Sequence, residues 1–392
     1  MKKPYLLIVL LAALSYSCNS DDTTAEPVAE INCAYSNFET LATQEDVDAF
    51  AANGYCTLTS GIMIGSPYVQ SNITNLKGLE TITTVGTIVI NHNPQLNSLE
   101  GLHNVTKADK IRIEDNAALQ NLAGFGPISL NTLEIVNNPA LVSMDGAQDF
   151  TDLVDVIISD CQVLSSLEGL EHVANLYSLE ISLCNNLTNL AGLSGLKEVS
   201  ELEISTNNGL TSFEGLGNLV KVNTTFQVQN NHALTSIAHL QSLNHIGNAH
   251  IGYNGLTTLE GFEGVTEIGL LHVWYNNDLT SLNGLNNLVS ISNLIIEDNP
   301  MLNTLAHLSS FTTMGTIEIS NNASLSSLSG LGTITSFNSP IIELTIKNNS
   351  SLTNMCPISP SLSYIYANST QVFIFGNASP LSGLEILSEN CD

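Results

Sequence analysis

The sequence predicts a mainly β solenoid, and three observations carry that prediction. A motif of the form apolar-x-Ile-x-x-Asn-x-x-Leu-x-x-apolar-x-Gly-Leu, seen in full from Glu201 to Leu216, recurs almost to the end of the chain. Its first Leu or Ile falls at Ile73, Leu96, Leu119, Leu141, Leu164, Leu187, Leu210, Leu234, Leu256, Leu279, Leu302, Leu325 and Leu352, spaced 22–24 residues apart except for a last step of 27. A fixed period of this length marks a repeat architecture. Within one repeat the apolar residues first alternate and then fall every third position, as in Leu187, Leu190, Leu193, Leu196, Val199, Leu202 and Ile204. Alternation gives a short strand with one inward face. Steps of three suit a coil bent round a core and leave little length for α-helix.

The third observation is a column three residues after the inward Ile: Asn93, Asn116, Asn138, Cys161, Cys184, Asn207, Asn231, Asn254, Asn276, Asn299, Asn322, Asn349 and Asn377. A buried turn leaves backbone N–H and C=O groups that must be paired. Asn carries both a donor and an acceptor, so a stack of them can bond backbone in its own coil and the next. One coil of 23 residues cannot bury its apolar face alone, so neighbours must stack. At about 4.8 Å per strand, thirteen coils make a rod of roughly 60 Å.

Taken in order, residues 1–17 (MKKPYLLIVLLAALSYS) have two Lys, an apolar run and small residues before Cys18. That is a secretory signal, too short to span a membrane. Residues 18–32 are polar and acidic and read as a flexible tether. Residues 33–72 hold the N-terminal cap and first strand. There Thr43 is the expected N-cap of a helix Gln44 to Ala52, with Glu45 and Asp46 in its first turn and Asn53-Gly54 as its stop. The helix would cover the open end of the solenoid, which occupies residues 73–351. Residues 352–392, with Pro357 and Pro360 among them, form the last coils and the C-terminal cap.

The repeat, with its Gly-Leu step, its Leu-x-Ile-x-x-Asn strand and its exchange of Asn for Cys only, resembles the leucine-rich repeat, and in particular the L domain of receptor ectodomains. More closely it resembles the long L-domain-like surface lipoproteins of Bacteroidetes. The resemblance spans about residues 40–385. It implies a right-handed leucine-rich β-solenoid with an acidic helix before its first strand. Cys18 after Ser17 resembles a lipoprotein cleavage box, and Asn19-Ser20-Asp21-Asp22 resembles the acidic signal that sends such lipoproteins to the outer surface. An outer-membrane lipoprotein, exposed at the cell surface and touching the membrane only through its lipid, is the expectation that follows.

Seven Cys divide accordingly. Cys18 is the lipidation candidate, Cys161 and Cys184 sit in the ladder, and the remaining four flank the ends. In an exported chain we expect Cys33–Cys56 and Cys356–Cys391 disulfides, with Cys161 and Cys184 as buried thiols. No Cys-x-x-Cys is present, so neither a zinc nor a redox motif is supported.

Thirty-seven acids against nine bases give a formal charge of −28. Nucleic acid binding needs basic patches that neutralise phosphate, so this balance argues against it. Catalysis has little support: Gly-x-Ser-x-Gly, His-Glu-x-x-His and Walker patterns are absent, and no cofactor or metal is implied. The pairs Glu114–Asp115 and Glu297–Asp298 read as solvated strand residues, not as a converging acid pair. Thr-Ser steps such as Thr211-Ser212 and Thr280-Ser281 read as stacking groups between coils.

A binding face should lie on the outward strand positions. Most are small, polar or acidic. One zone differs: His250, Tyr253, His272, Trp274 and Tyr275, beside Gln227 and Gln229. Outward aromatics with amide and imidazole donors suit sugar stacking or a protein hot spot. The alternative is that Trp274, the single Trp, only covers an adjoining turn. The expected function is a non-catalytic binding or adhesion module for a protein or polysaccharide. A structural envelope protein, or a polysaccharide-active β-helix enzyme, is the alternative.

Overall fold

The computed structural model describes residues 33–332, 334, 336–337, 343–368, 371–379 and 385–386. The expected signal sequence, Cys18, the whole tether and Cys391 lie outside them. Throughout, coils are numbered by their ladder residue, from Asn93 in coil 1 to Asn377 in coil 13.

The apolar stripe read from the sequence is the core. From Leu187 to Ile204, the stripe residues Leu187, Leu190, Leu193, Leu196, Val199, Leu202 and Ile204 are all buried to within 1%. The coils add their strands to a single sheet, one strand each except in coils 4, 11 and 12, where it is broken in two, and every described pairing in that sheet is parallel. Equivalent residues are register partners, as in Ile181↔Ile204 and Ile204↔Val228. Because side chains alternate across a strand, this register lines all inward Ile on one side and all outward residues in straight rows on the other. The strands are longer than the alternation suggests: Glu198–Ser205 takes in Val199, with an irregularity in its pairing between Val199 and Glu201. Where a bulky Phe226 replaces the usual inward Leu, its partner in the next coil is Ala249, so core volume is conserved.

The ladder is satisfied as the chemistry of Asn requires: the side chain bonds back to the preceding coil, within its own coil (Asn231 Nδ2 to the Gln229 carbonyl, 3.0 Å) and on to the next (Asn231 Nδ2 to Asn254 Oδ1, 3.3 Å). Asn207 Nδ2 donates to the Ile181 carbonyl at 2.9 Å, and Asn207 Oδ1 accepts from the Cys184 N–H at 2.9 Å. Asn116, Asn231, Asn276 and Asn322 make the same pair of bonds to the coil before them. Cys161 and Cys184 are free and fully buried, and their thiols turn to the Ser159 and Ser182 carbonyls. The Cys184 thiol is pushed up by its contact with Cys161 and by burial.

Immediately before each ladder residue the chain turns through the left-handed region. His92, Asp115, Asn137, Asp160, Leu183, Thr206, Asn230, Tyr253, Tyr275, Asp298, Asn321 and Asn348 have φ between 48° and 58°. Asn and Asp, which tolerate this conformation best, fill seven of the twelve places. The Gly-Leu step has a separate cause. At Gly215 (φ 109°) an added Cβ would lie 1.9 Å from the Leu190 carbonyl oxygen of the preceding coil.

Thr43 caps the helix Gln44–Phe50 in a capping box with Asp46, and a 3-10 turn Ala51–Asn53 carries it to Gly54 at φ 62°. Val47 and Phe50 are buried. Gln44 reaches across to the Thr74 N–H at 2.9 Å, which fixes the helix on the first turn. Two short strands, Ala34–Tyr35 and Phe38–Leu41, precede it and pair with Thr57–Ile64, so the cap is part strand as well as helix. At the other end, a helix Ser359–Asn368 leads to the last strand, Gln371–Phe375. Cys33, Cys56 and Cys356 are each disulfide-bonded.

Candidate functional site

Straight register places the outward residues in rows that cross the coils. One row runs Glu180, Glu203, Gln227, His250, His272, Ile295, and a second runs Ser182, Ser205, Gln229, Gly252, Trp274, Glu297. All seven residues singled out by sequence therefore fall in one zone spanning coils 7 to 9. His250 and His272 are direct register partners, with ring centroids 6.1 Å apart.

Trp274 does not stand free. Its register partner is Gly252, and an added Cβ there would come within 2.2–2.5 Å of three atoms of the indole. The ring thus rests over the glycine, and Trp274 is half-buried. His272 stacks with the indole, centroids 4.2 Å apart at 26°, and His250 meets it edge-on at 6.5 Å. His272 is held in turn by Glu297, with Nε2 to Oε1 at 2.9 Å. The reading of Glu297 as merely solvated is corrected here: it locks an imidazole. Burial, and then the neighbouring His272, lower the pKa of His250, so that it is neutral at pH 7.

Tyr253 and Tyr275 lie at the left-handed corner of coils 8 and 9. Their rings stack at 4.7 Å and 16°, and they are 40% and 41% exposed. Left-handed backbone costs an ordinary side chain about 1 kcal/mol, and Asn or Asp would fit better. Two exposed aromatics at strained positions are therefore not explained by stability alone. The Asp298 carboxylate beside Tyr275 raises its phenol pKa. Gln227 and Gln229 are half-buried, and their side-chain amides have no partner among the described residues.

Next to this zone, Ser178, Glu180, Glu201, Leu202, Glu203, Thr225 and Gln227 line an open cavity of 320 Å³. Glu180 and Glu203 are register partners on one face, so two carboxylates sit side by side. Their hydrogen bonds come from the Ser182 and Ser205 hydroxyls, each at 3.2 Å. Sequence reasoning missed both this acidic pair and the glycine seat of Trp274. The signal for each was present in the outward columns, but only cross-strand register shows that Gly252 and Trp274, or Glu180 and Glu203, touch.

Elsewhere the sequence readings stand differently. Glu114 is not free either; it bonds Arg112 Nε at 2.8 Å. Asp115 and Asp298 are corner residues, which is why neither converges with its neighbour. The hydroxyls of Thr211 and Thr280 bond carbonyls of the preceding coil at 3.1 and 3.2 Å. Among the described residues there is no group of three or more His, Cys, Asp or Glu placed to hold a metal, and no helix is long and apolar enough to cross a membrane.

Comparison with family models and with curated proteins returns no match. Similar solved structures include the following two. One is the crystal structure of a TLR13–ssRNA13 complex, at 16% identity and a TM-score of 0.35 over 84% of this chain and 59% of that one. The other is a leucine-rich-repeat protein of Leptospira interrogans, at 15% identity and a TM-score of 0.34 over 79% of this chain and 88% of that one. The coil, ladder and parallel sheet described above define a leucine-rich β-solenoid.

Proposed function

We propose that this chain is a cell-surface lipoprotein that captures a protein or glycan non-covalently on the strand face of its solenoid, around Trp274. The observation that carries the reading is the corner pair Tyr253 and Tyr275: exposed, stacked, and held in a backbone conformation that disfavours them. The signal-like residues 1–17 and Cys18 support export and lipid attachment. The charge of −28 favours a protein or glycan over nucleic acid. Residues around Trp274 supply stacking surface and hydrogen-bond donors.

Trp274 reports on its own surroundings, because it is the single Trp. Titrating the protein with soluble glycans and glycoproteins while following its emission tests the reading. A saturable shift with one ligand is expected, and it should vanish when Tyr253 and Tyr275 are both replaced by Asn. A ligand that binds tightly while leaving the emission unchanged in every case would place capture elsewhere. The seating of Trp274 on Gly252 favours a second reading, a structural envelope protein whose indole only seals the sheet. Intact surface attachment in cells carrying the double Tyr variant would support it.

A further inference from the structure

We propose that the partner of this face is a protein segment bearing Arg or Lys side chains, laid across the strands from the Glu180 coil to the Glu297 coil. The inference rests on the capture reading above and names the chemistry captured. Its starting point is charge. Along the two outward rows above and the one two residues earlier on each strand, which runs Ser178, Glu201, Thr225, Asn248, Leu270, Asn293, no Lys or Arg occurs between Arg112 and Lys347. Lys197 and Lys221 lie at the entry end of the strands; Lys221 is paired with Glu198 at 3.4 Å, about 10 Å along the strand from Glu201. Among the described residues no ion pair joins either Lys to Glu180, Glu201 or Glu203.

Within this stretch Glu180 and Glu203 face each other directly, and like charges so placed destabilise a sheet. Glu201 adjoins them, with the Tyr177 hydroxyl as its partner at 3.4 Å. No cation offsets these three carboxylates among the described residues. Repulsion retained in a fold that neutralises other face carboxylates is relieved by a cation brought from outside. The aromatic zone fits the same ligand. A guanidinium or ammonium gains most on the faces of Trp and Tyr rings. Tyr253 and Tyr275 supply those rings through their outer faces, and Trp274, seated on Gly252 and stacked by His272, borders them, between Glu203 on one side and Glu297 on the other. His250 stays neutral at pH 7 and so does not repel a cation. The amides of Gln227 and Gln229 lie between the two zones, open to the backbone of a crossing chain. Five strand steps separate Glu180 from Glu297, about 24 Å, which an extended segment of about seven residues spans.

A highly acidic protein attracts any polycation, so the test must separate this face from general attraction. The probe is an eight-residue Arg-Ser repeat peptide, with a citrulline-Ser peptide as its neutral counterpart, titrated against the purified full chain at 150 mM salt. Trp274 emission should shift saturably with the Arg peptide and at least about tenfold more weakly with the citrulline peptide. Glu180→Gln with Glu203→Gln should weaken binding at least about fivefold, while Glu100→Gln with Glu168→Gln, equal in charge but on the turns, should change it less than about twofold. Gly252→Val, which pushes the indole off its seat, should remove the emission response while circular dichroism shows the solenoid intact. Equal binding of the citrulline peptide, or equal loss in both carboxylate pairs, overturns the proposal. A neutral glycan that saturates the emission change where the Arg peptide does not also overturns it and leaves capture on this face standing. Silence toward every ligand takes both readings down.

Discussion

Coils 2 and 3 and coils 5 to 10 present the same rows of the same sheet, yet they treat charge in opposite ways. In the first region, Lys110 and Arg112 bracket Glu134 at 2.6 and 2.7 Å, and Arg112 also holds Glu114 at 2.8 Å. Burial works to raise Glu134, and the bonds from Lys110 and Arg112 outweigh it, so its pKa ends below the ordinary carboxylate range. In the second region Glu180 and Glu203 lie side by side with only hydroxyl partners. The backbone does not account for this difference, since register and strand length are alike. What differs is which side chains the repeat places outward. The first patch closes on itself, and the second is left for something else to neutralise.

Removing one side chain from each region should give stability changes of opposite sign. Arg112→Ala leaves Glu134, whose side chain is only 11% exposed, with Lys110 alone. It should lower unfolding stability by about 1–3 kcal/mol, discounted from the cost of a fully buried pair because Arg112 is a third exposed. Urea denaturation reads this directly. Glu203→Gln removes repulsion and should leave stability unchanged or raise it by about 0.2–1 kcal/mol. A loss of more than 1 kcal/mol there would mean that the carboxylate has a structural partner.

Tyr275→Asn should stay within about 1 kcal/mol of the parent, because relief of left-handed strain offsets the lost ring stack. Ligand affinity should nonetheless fall, and that separation distinguishes a binding residue from a packing one. The smallest effect concerns pH. The folded pKa of His250 lies below the value of a free imidazole, about 6.5, so its contribution to stability is present above that pH and is lost as pH falls through the lower folded value. His272, Trp274, Gln227 and, through His272, Glu297 surround it. His250→Gln should flatten this acid limb of the stability profile. An unchanged limb would show that His250 is not the group responsible.

The sequence made the scaffold legible and left the contacts on it obscure. Period, inward stripe and ladder repeat thirteen times, so a single misread coil changes nothing. The helix Ser359–Asn368 escaped because it occurs once and is rich in Ser and aromatic residues; Pro360 in its first turn was the available signal. The left-handed corner column escaped for a different reason. Asn, Asp, His, Leu, Thr and Tyr all fill it, so composition hides a position that geometry makes uniform. The seven residues of the aromatic zone were found from exposure logic alone. That Trp274 sits on Gly252 depends on a cross-strand register which a one-dimensional reading does not contain.

The central claim is that the face around Trp274 is accessible and carries uncompensated negative potential. Quenching of the single Trp by caesium and by iodide, at matched ionic strength and with acrylamide as the neutral reference, reads both properties at once. The account predicts measurable acrylamide quenching and a caesium quenching constant larger, relative to acrylamide, than that of iodide. Iodide quenching equal to or greater than that of caesium, or a Trp274 that acrylamide cannot reach, would contradict it.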